Sequence, residues 1–251
     1  MSGHNKWSTI KHKKAAADAK KGKVFSAISK EIMVAVRQGG ADPAANITLR
    51  ALIQKGRSVN MPMDNIERAI KKASGDLDGA ALEELSYEGY AAGGVAVVVL
   101  CLSDNKNRTA ADVKHAFNKY EASLASVGSV SRMFNRKGQI TVDAQGIDED
   151  QLMELVLEAG AEDMTLEDGT FEIITDPNSF MDVVDALDKA EIKTDVSEIT
   201  LLPETPMAVT QRSQASSLLR FIETLEDLED VQNVYTNAEI SDDLMAQLSE
   251  D

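Results

Sequence analysis

GQITVDAQGIDEDQLMELVLEAGAEDMTLEDGTFEIITDPNSFMDVVDALDKAEIKTDVSEITLLP, residues 138–203, is the stretch that decides the fold. Gln139 to Val142 alternates as a strand. Asp148 caps a helix that turns Leu152, Leu155, Val156 and Ala159 inward and stops at Gly160. Met164 to Leu166 and Phe171 to Ile174 pair across Glu167-Asp168-Gly169-Thr170, a glycine-containing hairpin turn. Asp176-Pro177 starts a second helix with Phe180, Val183, Val184 and Leu187 on one face, and Val196 to Leu202 is the closing strand. The order is β-α-β-β-α-β, the ferredoxin-like pattern of an α+β fold.

The flanking segments supply a second unit in two pieces. Val95 to Leu102 is a continuous apolar, β-branched run, hence a buried strand. A polar loop leads to a helix with Val113, Ala116, Phe117 and Tyr120 on one face, and Val130 to Phe134 reads as a short strand. Met207 to Thr210, a helix carrying Leu218, Ile222 and Leu225, and Val231 to Tyr235 form the other piece. Either piece alone leaves an open sheet edge and a bare face, which is costly. Nesting one ferredoxin-like unit inside another solves that. The alternative is sequential domains with the C-terminal piece packed elsewhere. The expected domains are 1–76, helical and basic; 77–136 with 204–251, discontinuous α+β; and 137–203, inserted α+β.

Residues 24–75 read as helices. Phe25, Ile28, Ile32 and Val36 keep helical spacing until Gly39-Gly40. Asp42-Pro43 is a start signal for the next helix, whose stripe is Ile47, Ala51 and Leu52. Asn60-Met61-Pro62 interrupts it, and Ile66, Ala69, Ile70 and Ala73 follow. The pair fits a helix-turn-helix reader or a plain helical hairpin, and no motif fixes the crossing angle. Residues 1–23 read as a separate, weakly amphipathic basic helix that Gly22 weakens and a partner would order.

Charge is divided unevenly. The net charge is −16, yet residues 1–75 hold fifteen Lys/Arg and five Asp/Glu, while residues 76–251 hold eleven and thirty-seven. Such asymmetry points to a binding arm for a polyanion. Lys6, Lys11, Lys13, Lys14, Lys20, Lys21 and Lys23 lie within eighteen residues and suit phosphates without base reading. Trp7, among them, either stacks on an unpaired base or anchors the segment to the body. His4 and His12 add charge only below neutral pH.

Lys106 and Arg108 extend the candidate surface. They sit in Asn105-Lys106-Asn107-Arg108, just before a helix N-terminus, where free N–H groups and a cation make an anion site. Residues 104–137 carry seven basic against three acidic side chains, and residues 138–251 four against twenty-nine. Arg132, Arg136 and Lys137 continue the positive field. The acidic remainder keeps the protein soluble and repels nucleic acid from the wrong face.

Other functions find little support. The one cysteine, Cys101, precludes an intrachain disulfide and fits a reducing compartment. No apolar run reaches bilayer length, and no signal-like apolar segment follows the basic start, so a cytoplasmic protein is expected. Three dispersed histidines make no zinc set, and no phosphate-binding loop or nucleophile elbow occurs. The expectation is a non-enzyme without cofactor, metal or small-molecule substrate, a Mg²⁺ nuclease being the remaining catalytic reading.

Several stretches resemble one family. They are the start Met1-Ser-Gly-His-Asn-Lys-Trp-Ser-Thr-Ile-Lys-His-Lys-Lys-Ala-Ala-Ala-Asp-Ala-Lys-Lys-Gly-Lys23, Asn60-Met-Pro-Met-Asp-Asn-Ile-Glu-Arg-Ala-Ile-Lys-Lys-Ala73, Tyr87-Glu-Gly-Tyr90 with Gly93-Gly-Val-Ala-Val97, Asp104-Asn-Lys-Asn-Arg-Thr109 with Asp112-Val-Lys-His-Ala-Phe117, and Asp230-Val-Gln-Asn-Val-Tyr235. Together they resemble the YebC/PmpR family over essentially the whole chain. The resemblance implies three domains, a helical one first, and a role in gene expression. It implies promoter DNA binding as in bacterial relatives, translational activation as in a mitochondrial one, or ribosome association that relieves stalling on proline runs. DNA, RNA and the ribosome are thus the expected partners. One departure stands out: the family's glycine-rich stretch reads Glu121-Ala-Ser-Leu-Ala-Ser-Val-Gly-Ser129 here and keeps only Gly128.

Overall fold

The computed structural model describes residues 18–74 and 82–249. It is an α+β protein with a helical N-terminal region and two four-stranded sheets. The described chain divides into two compact units, residues 82–135 with 202–249 and residues 18–74 with 136–201.

In the second unit, three helices come first: α1 (Asp18–Gly39), α2 (Ile47–Ser58) and α3 (Met63–Ser74). Ile28, Ile32, Ala35 and Val36 of α1 bury against Leu49 of α2 and Ile66 and Ala69 of α3. Two expectations are corrected. The helix that ends at Gly39 begins at Asp18 and runs through Gly22, so residues 18–23 are its first turns. A Cβ at Gly22 would meet nothing within 4 Å, so no close contact requires the glycine. The start of α2 is set by Asn46, not by Asp42-Pro43. The Asn46 carboxamide accepts from Leu49 N at 3.0 Å and donates to the carbonyls of Ala35 and Gly40, each at 2.8 Å. Asp42 accepts from Ala44 N within a turn. The buried amide wins because one side chain satisfies three backbone groups across two helices.

The same unit holds β4 (Phe134–Asp143), α5 (Glu149–Glu158), β5 (Ala161–Glu167), β6 (Thr170–Thr175), α6 (Phe180–Lys189) and β7 (Val196–Pro203), with sheet order β5-β6-β4-β7. Asp168 and Gly169, at φ 50° and 75°, make the two-residue turn of the β5–β6 hairpin. Asp148 caps α5 through Gln151 N at 3.0 Å. Asp176-Pro177 again forms a turn, and α6 starts three residues later, at Phe180. Ile140, Val142, Phe171 and Ile173 of the sheet pack on Leu152, Val156, Phe180 and Leu187, and Ala51 of α2 is buried in the same cluster. Lys55, one turn beyond Ala51, lies 3.4 Å from Glu31 on α1 and 3.5 Å from Glu198 on β7.

The first unit contains β1 (Glu83–Tyr90), β2 (Ala96–Ser103), α4 (Lys106–Lys119), β3 (Ser123–Ala125), β8 (Met207–Ala208), α7 (Arg212–Glu226), β9 (Val231–Thr236), β10 (Ala238–Glu239) and α8 (Asp242–Ser249). Its sheet order is β3-β1-β2-β9, with β8 and β10 paired separately and parallel. The late strand β9 thus pairs antiparallel with β2, from Val97 opposite Thr236 to Cys101 opposite Val231. Val97, Val99 and Cys101 face the helices, and Phe117 of α4 meets Phe221 of α7 edge to face at 5.0 Å. The strand expected at Val130 to Phe134 is a 3-10 turn, Ser131–Met133, leading into β4. The third strand of the sheet is Ser123–Ala125 instead. Strand β1, read only as part of the family resemblance, holds the sheet together between β3 and β2.

Candidate nucleic-acid interface

The predicted interface residues fall into three groups. Lys6, Trp7, Lys11, Lys13 and Lys14 lie outside the described residues, as do His4 and His12. Lys20, Lys21 and Lys23 stand in the opening turns of α1. Lys106 and Arg108 stand at the start of α4, in the other unit.

Around α4 the geometry is built for holding strands as much as for meeting an anion. Asn105 Oδ1 accepts from Arg108 N at 3.2 Å, which caps the helix, and Asn105 N donates to Ser103 Oγ. Lys106 is exposed. Arg108 donates to Asp230 from Nε at 3.1 Å and from one terminal nitrogen at 2.8 Å, and to Asp104 at 2.9 Å. Asp230, at the entrance to β9, is buried and also accepts from Ser103 Oγ at 3.0 Å and Thr109 Oγ1 at 2.9 Å. Burial alone would raise the Asp230 carboxyl, but the bonds from Arg108, Thr109 and Ser103 together hold it below its ordinary range. The bonds to Asp230 and, next, to Asp104 raise Arg108. A phosphate approaching Arg108 therefore competes with two carboxylates.

A second buried carboxylate organises the loop after β3. Glu88, 1% exposed, accepts from the backbone N–H groups of Gly128 (2.7 Å), Val130 (2.6 Å) and Ser131 (2.9 Å). Burial pushes its carboxyl up, yet the three amides outweigh that and leave it lowered. Gly128, the glycine retained in this loop, has φ 87° and supplies one of those amides. Beside Glu88, Gly89 lets β1, β3 and α4 approach closely: a Cβ there would fall 2.3 Å from Ser123 O and 2.4 Å from Phe117 Cε1.

Residue-by-residue reading missed Asp230 and Glu88 as organisers. Their signal was the resemblance, which marked Asp230-Val-Gln-Asn-Val-Tyr235 and Tyr87-Glu-Gly-Tyr90 before any partner was visible. The charge count took in further cations of the helical region without naming them as contacts. Arg37, Arg57, Arg68, Lys71 and Lys72 are exposed there. Lys137 is bound to Glu162 at 2.7 Å, while Arg132 and Arg136 are exposed. Among the described residues no group of His, Cys, Asp and Glu could hold a metal ion, and no helix is long and apolar enough to cross a membrane. Cys101 is buried in the sheet, and burial, then the Asp230 charge, pushes its thiol up to about 12.

The described chain combines a cation-rich helical region with two four-stranded sheets in segments that are acidic overall, an architecture shared with a class of proteins associated with nucleic-acid-binding regulation of gene expression. The model of the TACO1/YebC N-terminal domain matches residues 5–76, and that of the TACO1/YebC second and third domain matches residues 82–238. The chain belongs to the TACO1/YebC family, which is associated with regulation of transcription and translation through nucleic-acid binding. It is 52% identical to a protein named probable transcriptional regulatory protein from Desulfatibacillum aliphaticivorans, covering 98% of this chain and 100% of that one. A protein of the same name from Trichlorobacter lovleyi is 52% identical, covering 99% and 100%. The crystal structure of a conserved hypothetical protein from Aquifex aeolicus is similar with a TM-score of 0.81 and 43% identity, over 93% of this chain and 96% of that one.

Proposed function

We propose that this protein is a non-enzymatic, cytoplasmic, DNA-binding transcriptional regulator that grips phosphates with its basic N-terminal quarter. The observation that carries this reading is the charge partition: residues 1–75 are strongly cationic in a chain whose net charge is −16. Counterion release from the DNA supplies the affinity, and the acidic remainder of the chain repels the polyanion. Lys6, Lys11, Lys13, Lys14, Lys20, Lys21 and Lys23 carry the contact in this reading. Lys106 joins them, and Arg108 contributes only what Asp230 and Asp104 leave of its charge. The names of the bacterial relatives support the transcriptional role.

The second reading is a ribosome- or RNA-associated translation factor. Trp7 among the lysines favours it, because an aromatic ring stacks on unpaired bases that a duplex keeps inside. Cross-linking in cells followed by sequencing of bound nucleic acid separates the two. Promoter fragments support the first, and ribosomal RNA without a promoter signal overturns it. Incubating labelled DNA and RNA with Mg²⁺ tests the non-enzymatic part, which strand cleavage would refute.

The three-domain, nested ferredoxin-like architecture belongs to the same proposal. The order β5-β6-β4-β7 and the pairing of β9 with β2 support it.

A further inference from the structure

Helix α2 is packed on two sides, and a third side carries two guanidinium groups that the rest of the molecule leaves unmatched. Leu49 is buried with residues of α1 and α3, and Ala51 is buried with the sheet core of residues 136–201. At about 100° per residue, Arg50 lies between those two sides, and Arg57, seven residues on, falls on the same line about 10.5 Å along the axis. Arg57 is exposed. Arg50 is half-buried, and its Nε is cut off from solvent with no hydrogen-bond partner. Neither arginine enters an ion pair among the described residues. A buried, unpaired donor on a charged group costs free energy, so folded proteins rarely keep one. No shortage of carboxylates forces that cost, since the chain has 42 Asp/Glu against 26 Lys/Arg. Other half-buried cations are matched: Lys55, well round the same helix, meets Glu31 and Glu198, and Lys137 meets Glu162.

We propose that Arg50 and Arg57 form a two-point clamp for the phosphodiester backbone of DNA, with Arg50 swinging outward onto a phosphate. A guanidinium offers Nε and a terminal nitrogen as a fork that fits phosphate oxygens. Turning Arg50 outward breaks no hydrogen bond and frees a buried donor, so the movement itself favours binding. Arg108 is the opposite case, because it must give up Asp230 and Asp104 to reach an anion. Phosphates along one duplex strand recur every 3.4 Å of axis, so a span of about 10.5 Å takes contacts about three steps apart when the helix runs along the strand. The clamp rests on the DNA-binding reading above and deepens it, adding a contact on a packed helix outside the lysine-rich segment.

The test uses the full chain and a labelled duplex of random sequence, with affinity measured against salt. Arg50→Met keeps much of the side-chain volume and removes the charge and the fork. It should reduce the magnitude of the log–log salt slope by about 0.9 and weaken binding roughly eightfold at 0.1 M salt. It should also melt at the temperature of the unaltered protein or higher, because the unpaired donor is gone. Adding Arg57→Gln should bring the loss of slope to about 1.8. Lys193→Gln removes an exposed charge from the acidic part of the chain and should leave the slope unchanged. Saturating duplex should raise the melting temperature of the unaltered protein more than that of Arg50→Met, and inorganic phosphate should not. An unaltered slope in Arg50→Met, or an equal loss in Lys193→Gln, overturns the clamp. A clear fall in melting temperature in Arg50→Met does so too, because it would make Arg50 a structural residue. A shift with inorganic phosphate as large as with duplex overturns the assignment to a phosphodiester. Absence of salt-dependent binding in the unaltered protein would instead bring down the functional reading itself.

Discussion

Arg108 and Asp230, 122 positions apart in sequence, are joined by a two-pronged ion pair with distances of 3.1 and 2.8 Å. The pair ties the start of α4 to the start of β9, and Ser103 and Thr109 complete the cluster around the buried carboxylate. Replacing Asp230 by Ala removes one acceptor shared by Arg108, Ser103 and Thr109, and leaves Arg108 only Asp104. The expected cost is about 2–4 kcal/mol in the unfolding free energy, measured by urea denaturation. A variant as stable as the parent would show that the cluster is ornamental.

Glu88 sets a pH dependence whose sign follows from its lowered carboxyl. The folded state holds this group below its ordinary value of 4.5, so folding favours the ionised form. The resulting stability is complete above the unfolded-state value and is lost as pH falls through the folded-state value. Glu88→Gln should therefore lower stability near neutral pH by about 1–3 kcal/mol, and the gap to the parent should narrow as pH is taken below 4.5. Melting curves across that range check it; a gap that stays constant contradicts the assignment.

Gly89→Ala places a methyl group against Ser123 O and the Phe117 ring, and two of the three partners are backbone that cannot swing aside. Overpacking of this kind costs about 1–3 kcal/mol. Thermal melting should show the loss, and amide exchange should place it in β1, β3 and α4.

Asn46→Ala removes the cap of α2 and two bonds back to α1. A destabilisation of about 2 kcal/mol is expected from the cap and the orphaned carbonyls. Asp42→Ala, which touches only its own turn, should cost far less. Equal losses would return the helix start to the Asp-Pro signal.

Contact with five to seven phosphates on a duplex gives a log–log salt slope of roughly −4.5 to −6. Removing residues 1–17, which precede α1, should reduce the slope for every sequence alike while leaving the melting of the remainder intact. Loss of one target sequence only would mean that this segment reads bases.

The elements with strong periodicity were legible from residue pattern alone. The run Val95 to Leu102 falls almost wholly in the strand Ala96–Ser103, which is buried on both faces apart from half-buried Leu100, and the hairpin around Asp168-Gly169 carries its turn chemistry in two residues. Strand β1 was not legible, because its buried positions include Glu88 and Gly89, which look like loop residues until three amides and a close-packed ring surround them. Gly22 and Asp42-Pro43 misled for the opposite reason. Each is a local signal, a breaker and a cap, overridden by the packing of α1 and by the longer reach of Asn46. The candidate interface was legible as charge and not as geometry: lysine spacing is visible in a string, whereas the turning of Arg108 toward Asp230 depends on a strand 122 positions later.

The pairing of β9 with β2 also bears on how the chain is made. A ribosome releases residues in order, and domains begin to fold as they emerge. The sheet built on β2 lacks an edge until residue 236 is out, whereas every strand of the other sheet has left the tunnel some thirty residues earlier. During synthesis the later-starting sheet is therefore the first that can close, and the earlier one waits with the backbone edge of β2, from Val97 to Cys101, unpaired until β9 arrives.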